Sequence, residues 1–265
     1  MIKKLISLFL IVVFLIPNIV IADNALIKEE LVNSLPREEL INVAIERGAK
    51  KEELESMSIF FLEELVKDGG EIVSLKTTDF IHEDDKFIPV DADDISPLGT
   101  ISTYDFTLTV GIVRLNSPGY DYFKFVSNGK WRNDPVWRLT DVIATSWSDE
   151  FTLIDSHCTY YAYQNGSLFM EGCTRNKIEP EAGLSHNVDL RSYHTDMEVQ
   201  QTAYVRKLDS TGSLNVVTSY AHEKIGLSSI TTLFGLSGKK PTIDFSAGLG
   251  STLDIAEPDF DYYDY

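Results

Sequence analysis

Residues 158–173, CTYYAYQNGSLFMEGC, contain the only two cysteines of the chain, placed symmetrically about an Asn165-Gly166 pair. Asn-Gly favours a two-residue type I′ turn, in which facing residues have numbers that sum to 331, as Cys158 and Cys173 do. Facing residues at a hydrogen-bonded position have Cα atoms about 5.5 Å apart, a separation that a disulfide tolerates. The stretch therefore predicts an antiparallel hairpin closed by a Cys158–Cys173 disulfide, with two reduced thiols as the alternative.

The hairpin also predicts which side chains share a face, because facing residues project to the same side of a sheet. One side carries Tyr161 opposite Met170 and Tyr163 opposite Leu168. Since these side chains are largely apolar, we expect their side of the hairpin to be buried.

The amino terminus has the layout of a secretory signal peptide. Two lysines precede an apolar run from Leu5 to Ile16, and Val20-Ile21-Ala22 supplies small residues at the positions that precede a cleavage site. We predict that residues 1–22 are removed. The alternative is an uncleaved membrane anchor, but Pro17 interrupts the run short of the roughly 20 residues that a spanning helix needs.

The charge balance excludes several classes of partner. The chain has 23 basic and 41 acidic residues, and loss of the two lysines of the signal peptide changes its formal net charge from −18 to −20. Such a surface repels nucleic acid and anionic lipid. Neither Gly-rich phosphate motif, GxGxxG or GxxxxGK(S/T), occurs. We predict a secreted protein, extracellular or at the cell surface, with no nucleic-acid partner and no stable membrane insertion after cleavage of the signal.

Changes of pattern divide the chain into segments. Helix start and stop signals lie between Pro36 and Gly70, an acidic stretch without either period follows, and a period of two begins at about residue 101. The predicted segments are a signal peptide (1–22), a small helical unit (24–70), an acidic extended linker (71–100), a β-sandwich domain (101–256) and an acidic Tyr-rich tail (257–265). Within the linker, Lys86 to Val90 is expected to form a short extended piece.

The predicted fold is mainly β: an antiparallel β-sandwich preceded by a small N-terminal α-helical unit. Frequent short strands separated by turn signals, with little helical pattern after residue 100, favour this class. A jelly-roll-like arrangement is one form of it, and closure of the strands into a barrel would give the same pattern.

The sequence contains no catalytic signature. The five histidines are scattered, no HExxH occurs, and the two Gly-x-Ser sequences at 183–185 and 226–228 lack the second glycine of a nucleophile elbow. We expect a protein that is not an enzyme.

The best metal hypothesis is calcium at Asp91, Asp93 and Asp94, whose hard oxygen ligands lie close together. As an EF-hand loop the match fails, because Ser96 stands where the turn glycine belongs and Ser102 replaces the bidentate glutamate. A solvated acidic linker is therefore favoured, and no cofactor is expected.

The segment from residue 120 to 138 is rich in aromatic and basic residues and is the predicted contact surface. Tyr120, Tyr122, Trp131 and Arg132 are its candidate binding residues. Aromatic rings can stack on the apolar faces of sugars, and basic groups can hold a phosphate or carboxylate. We expect Trp131 to be the exposed member of the set. The alternative is that the aromatic residues of this region, Trp137 and Trp147 among them, belong to the core.

These observations predict a secreted, non-enzymatic binding module for an extracellular glycan, the cell envelope or another protein. A secreted polysaccharide hydrolase with a carboxylate pair and a secreted antagonistic toxin or its accessory protein are the alternatives.

Overall fold

The computed structural model of the chain describes residues 35–83, 86–90, 105–115, 121–148, 150–208, 213–225, 229–238, 240–248, 252–256 and 261–264. The helices are α1 (Arg37–Glu46), α2 (Lys51–Leu54) and α3 (Ile59–Val66). The strands are β1 (Glu71–Glu83), β2 (Lys86–Pro89), β3 (Phe106–Leu115), β4 (Tyr122–Trp131), β5 (Thr140–Trp147), β6 (Phe151–Gln164), β7 (Ser167–Gly172), β8 (Thr174–Glu179), β9 (Gly183–Asp189), β10 (Thr195–Lys207), β11 (Ser213–Ile225), β12 (Thr231–Ser237), β13 (Lys240–Ser246), β14 (Thr252–Ala256) and β15 (Asp261–Asp264).

The strands form two antiparallel sheets and a separate hairpin. The seven-stranded sheet has the order β2-β1-β3-β4-β10-β6-β7, and the six-stranded sheet has the order β14-β11-β5-β9-β8 with β15 also paired to β11. Apolar side chains of both sheets share the core between them. The β12–β13 hairpin packs Ile243 against Ala144 and Val217 of the second sheet. The predicted β-sandwich with a small helical unit is confirmed.

The hairpin predicted between the two cysteines is also confirmed. Asn165 and Gly166 have φ values of 53° and 78°, as a type I′ turn requires. β6 and β7 pair in the predicted register. Cys158 and Cys173 form a disulfide, with Cα atoms 5.3 Å apart.

The predicted buried side of this hairpin is wrong. Tyr160 and Ala162 face the interior, whereas Leu168 and Met170 are 44% and 58% exposed. The reason lies in β10, which pairs with β6 and directs Val199, opposite Tyr160, into the sandwich. Paired residues of adjacent strands lie on the same side of a sheet. The face of a hairpin strand that is buried is therefore set by the long apolar strand beside it, because reversing the face would expose the apolar side chains of both strands.

Two segments predicted to lie outside the β-sandwich domain contribute strands to its sheets. β1 takes 13 residues from the predicted linker, and β15 takes four from the predicted tail. In β1, Leu75 packs under the helices while Val73 packs on the sandwich core, so both faces are covered and no alternation is visible. Tyr263 of β15 packs against the core. The linker and tail predictions are therefore wrong for 71–83 and 261–264, whereas Lys86–Pro89 is extended as predicted.

The helical unit packs on the outer face of the seven-stranded sheet. Leu40 of α1, Leu54 of α2 and Leu65 of α3 form one buried cluster with Val113 of β3 and Val126 of β4. The helices therefore share a core with the sheet. The signal peptide predicted at 1–22 lies outside the described residues.

A layer of polar side chains crosses the middle of the sandwich and separates its two apolar clusters. Ser127 lies 2.7 Å from the hydroxyls of both Thr145 and Thr218. The Nε2 of Gln201 donates to a backbone carbonyl of β5 (3.2 Å) and lies 2.9 Å from Nδ1 of His186, while its Oε1 accepts from Thr145 (2.6 Å). With the amide fixed in this way, Nδ1 of His186 must accept. Burial lowers the pKa of His186 to about 4.

Candidate functional site

The outer face of the seven-stranded sheet is apolar where Leu65 of α3 packs on it and polar at the amino-terminal end of that helix. Side chains alternate along β4, β10 and β6, so every second residue of these strands projects to this face. Two rows of outward side chains cross the three strands: Lys130, Glu198 and Tyr161 in one row, and Asn128, Gln200 and Thr159 in the next. We call these six residues the polar face. They lie below the amino-terminal end of α3, which divides the surface above them.

The dividing contact joins α3 to the centre of the polar face. The hydroxyl of Ser58 accepts from the N–H of Phe61 at 3.1 Å, as an N-cap does, and donates to the carboxylate of Glu198. Asn128 donates to the same carboxylate oxygen at 2.6 Å. Burial raises the pKa of Glu198. One cleft lies on each side of this contact.

The larger cleft, which we call the Tyr161 cleft, has a volume of about 370 Å³. It is lined by Phe60, Glu63, Glu64, Lys67, His157, Thr159, Tyr161, Met170 and Gln200. The ring of Phe60 stacks on that of Tyr161, with centroids 4.2 Å apart and planes 8° apart. Gln200 is buried, and its Oε1 accepts no hydrogen bond from any residue that the structure describes. The cleft therefore combines an apolar wall with an unused hydrogen-bond acceptor.

Two neighbouring carboxyl groups of this cleft differ in their electrostatics. Burial alone would raise the pKa of Glu64, but a hydrogen bond from His157 and the charges of Lys124 and Lys67 lower it below its usual value. Nε2 of His157 lies 3.3 Å from Oε1 of Glu64. Partial burial raises the pKa of Glu63. One carboxyl group is thus held ionised beside another that protonates more readily.

A buried lysine fixes the carboxy-terminal end of α3 beside this cleft. Nζ of Lys124 donates to the backbone carbonyls of Glu64 (2.7 Å) and Lys67 (2.6 Å) and lies 3.3 Å from Oδ2 of Asp68. Burial lowers the pKa of Lys124. These bonds position the helix that carries Phe60 and both glutamates, so the geometry of the cleft depends on them.

The smaller cleft, which we call the Arg132 cleft, has a volume of about 240 Å³. Its lining is mainly polar: Ser56, Met57, Ser58, Thr107, Thr109, Asn128, Lys130, Trp131, Arg132 and Asp196. Nε of Arg132 donates to the hydroxyl of Thr107 at 2.8 Å, and its Nη2 lies 3.4 Å from Oδ1 of Asp79. Both contacts hold the guanidinium in place.

The structure separates the residues predicted to form one contact surface. Trp131 and Arg132 line the Arg132 cleft, whereas Tyr122 lies at the opposite end of β4 and is half-buried in a different depression. Tyr120 and the proposed calcium ligands Asp91, Asp93 and Asp94 lie outside the described residues.

The prediction that Trp131 is the exposed aromatic residue is wrong. Trp131 is 4% exposed, packs 5.1 Å from the ring of Phe106 and donates from Nε1 to the hydroxyl of Tyr220 at 3.2 Å. Its position on β4 has the same parity as Phe123 and Phe125, which pack in the core between the sheets, so it points into the sandwich. Trp137 is 46% exposed, against the core assignment considered for it, while Trp147 is core.

One buried charged group resembles part of a catalytic constellation. Asp141 accepts from the hydroxyl of Tyr220 and lies 2.9 Å from Nδ1 of His222. Burial would lower the pKa of His222, but the charge of Asp141 and its hydrogen bond raise it. All three residues are buried between the sheets and line neither cleft. Their arrangement is that of a structural ion pair.

None of the nine residues that line the Tyr161 cleft was predicted as a site residue. A signal existed for Gln200, because the polar Glu198 and Gln200 alternate with the apolar Met197 and Val199 along β10 and indicate a hydrophilic outer face. In the sequence, Phe60 and Glu64 show only the pattern of a helix surface. They become part of a site because the fold places α3 over β6.

Comparison with known proteins identifies no family for this chain. No protein-family model and no curated protein matches it. Among solved structures, it is similar to a pore forming protein (8% identity, TM-score 0.32, covering 67% of this chain and 94% of that one). It is also similar to Clostridium perfringens delta-toxin (7% identity, TM-score 0.35, 71% and 94%) and to the collagen binding domain of Erysipelothrix rhusiopathiae surface protein RspB (11%, 0.29, 57% and 64%). Likenesses of this size bear on neither function nor partner.

None of the helices in the described part of the chain has the length and apolarity needed to cross a membrane.

Proposed function

We propose that the protein is an exported, non-catalytic binding module whose Tyr161 cleft holds an extracellular glycan. The observation that carries the proposal is Gln200, a buried amide whose Oε1 has no donor among the described residues and which lies beside an aromatic wall. A buried acceptor without a donor costs free energy, and a ligand hydroxyl would recover it.

The chemistry of the cleft matches the two sides of a sugar ring. The C–H face of a sugar packs on aromatic and thioether surface, which Tyr161 and Met170 supply. Its hydroxyls both donate and accept, so they can pair with Gln200, Thr159 and the ionised Glu64. The cleft volume of about 370 Å³ lies within the range of small-ligand sites.

Export is supported by the disulfide together with the predicted signal peptide. Disulfides persist in oxidising compartments and are rare in the cytosol. The Cys158–Cys173 bond is therefore the chemistry expected for a chain that functions outside the cell.

A secreted polysaccharide hydrolase is the second candidate, and one observation favours it. The pKa values of Glu63 and Glu64 move in opposite directions within one cleft, which is the condition for a general acid and an ionised partner. Glu63→Gln would abolish sugar release by such an enzyme and leave retention of the glycan largely intact.

The test is retention of the purified mature chain, beginning at Asp23 and with its disulfide intact, on immobilised cell-wall and polysaccharide fractions. Released sugars are assayed in the same tubes. We expect retention on at least one fraction without sugar release, and a loss of at least tenfold in Tyr161→Ala and Gln200→Leu.

Tyr163→Ala is the matched control, because Tyr163 lies on the same strand and face but outside the cleft. Equal loss in Tyr163→Ala, or no retention on any fraction, would remove the glycan proposal. Sugar release that Glu63→Gln abolishes would replace it with the hydrolase.

A further inference from the structure

The outer edges of the two sandwich sheets differ in how they are protected against pairing with another chain. β2 is four residues long and carries Lys86 and Pro89, two common protections of an edge. β8 carries Arg175 and Lys177, with a register irregularity between them. On the remaining side of the second sheet, β14 is five residues long and β15 has an aspartate at each end.

β7 has few of these protections. Its sequence is SLFMEG, with one charged residue and no proline or lysine, and it is regular in its pairing with β6. Leu168 and Met170 are exposed on its outer face. A regular, apolar, exposed edge strand is a site at which another strand adds.

The backbone groups of β7 are oriented for such an addition. The N–H of Cys173 donates to the carbonyl of Cys158 at 3.0 Å, so residues at even spacing from Cys173, Glu171 among them, also direct their backbone groups to β6. The backbone N–H and C=O groups of Leu168, Met170 and the glycine at the end of the strand point the other way, away from β6 and toward the open edge of the sheet. No strand among the described residues pairs with that side of β7.

The edge is self-complementary in antiparallel pairing. If two copies meet with residue numbers that sum to 338, Leu168 of one copy lies opposite Met170 of the other, and both direct their backbone groups to the new interface. Phe169 then faces its own copy. Glu171 lies opposite Ser167, so the only charge of the strand meets a neutral residue.

We infer that two copies of the chain pair through β7 to form a closed, two-fold symmetric dimer with one continuous sheet. An antiparallel edge contact with this symmetry leaves β7 of neither copy open, so the assembly ends at two. The formal net charge of each mature chain, which is −18 less the two lysines of the predicted signal peptide and so −20, opposes association. Because salt screens this repulsion and leaves apolar contact and backbone pairing intact, the dimer becomes more stable as salt rises.

The pairing would place two Tyr161 clefts on the same face of the sheet. β6 of one copy lies three strand spacings from β6 of the other, or about 14 Å. Two sites at this distance could engage one glycan chain together and raise its apparent affinity. The dimer itself does not depend on the proposed ligand.

The test is sedimentation velocity of the mature chain from 1 to 200 µM at low and high salt. We expect a monomer–dimer equilibrium that shifts to dimer with concentration and with salt, and at least a tenfold higher dissociation constant for Leu168→Lys. Leu236→Lys is the matched control, because Leu168 and Leu236 are both 44% exposed. A monomer under all conditions, or equal weakening in both variants, would overturn the inference.

Amide hydrogen exchange of the unmodified chain gives a second measurement that needs no variant. The amides of Leu168 and Met170 should exchange at least tenfold more slowly at 200 µM than at 1 µM. Equal exchange at both concentrations would also overturn the inference.

Discussion

The buried His186 predicts a specific dependence of stability on pH. In the folded chain its Nδ1 must accept from the amide of Gln201, whose other contacts, to Thr145 and a backbone carbonyl, fix which way the amide points. If Nδ1 were protonated, its N–H would face the N–H of the Gln201 amide in a buried site, and neither would have an acceptor there. His186→Asn removes this titration, because an Asn Oδ1 can replace Nδ1 as an acceptor and does not titrate.

The magnitude follows from the two pKa values. The pKa is about 4 in the folded chain and about 6.5 in the unfolded chain. Because the folded value is the lower one, the stability from a neutral His186 is fully present above pH 6.5 and is lost as pH falls toward 4. At about 1.4 kcal/mol per pKa unit, the total loss is roughly 3 kcal/mol, of which about 2 kcal/mol is lost by pH 5.

Urea unfolding at pH 7, 6 and 5 measures this effect. We expect His186→Asn to be the less stable protein at pH 7. Between pH 7 and pH 5 the natural chain should lose about 2 kcal/mol more than the variant does. Subtracting the two pH profiles removes the contributions of other titrating groups. Equal profiles, or an NMR titration that gives His186 a pKa near 6.5, would show that the buried site does not hold His186 neutral.

Two further substitutions test the connection between helices and sheet. Lys124→Met should lower the free energy of unfolding by roughly 2–6 kcal/mol, because two carbonyls of the α3 end lose their donor at about 1–3 kcal/mol each; a loss below about 1 kcal/mol in urea unfolding would show that water replaces the lysine. Gly70→Ala should cost at least about 3 kcal/mol and Gly69→Ala about 1 kcal/mol. Both glycines have positive φ, but only at Gly70 would a Cβ collide with the carbonyl of Arg114. Equal melting temperatures for the two alanine variants would contradict this account.

The parts of the fold that could be predicted are those determined by local sequence. The Asn165-Gly166 turn sets the register of its own hairpin, and that register brings Cys158 and Cys173 together. The buried face of the same hairpin could not be predicted, because it is set by Val199 on a strand more than 25 residues away. Likewise, β1 shows no alternation because helices cover one of its faces and the sandwich the other.

Most residues of the candidate site could not be predicted either, because contacts between segments distant in the sequence bring them together. Phe60 and Tyr161 are about 100 residues apart and meet only because α3 and its N-cap Ser58 contact β4, β10 and β6. The orientation of Trp131, by contrast, could have been predicted from the sequence. Phe123 and Phe125 have the same parity on β4 as Trp131, whereas the lysines of the strand have the other parity, so the strand itself indicated that Trp131 points inward.

An NMR titration of the ¹⁵N-labelled mature chain tests whether the Tyr161 cleft holds a glycan without cleaving it. The probe is a mixture of soluble oligosaccharides prepared from a cell-wall or polysaccharide fraction that retains the protein. We expect shifts of the Gln200 side-chain amide and of the backbone amides of Thr159 and Tyr161, with sugar anomeric signals that stay constant over days. Shifts confined to another surface would contradict the site, and new anomeric signals would contradict the absence of catalysis.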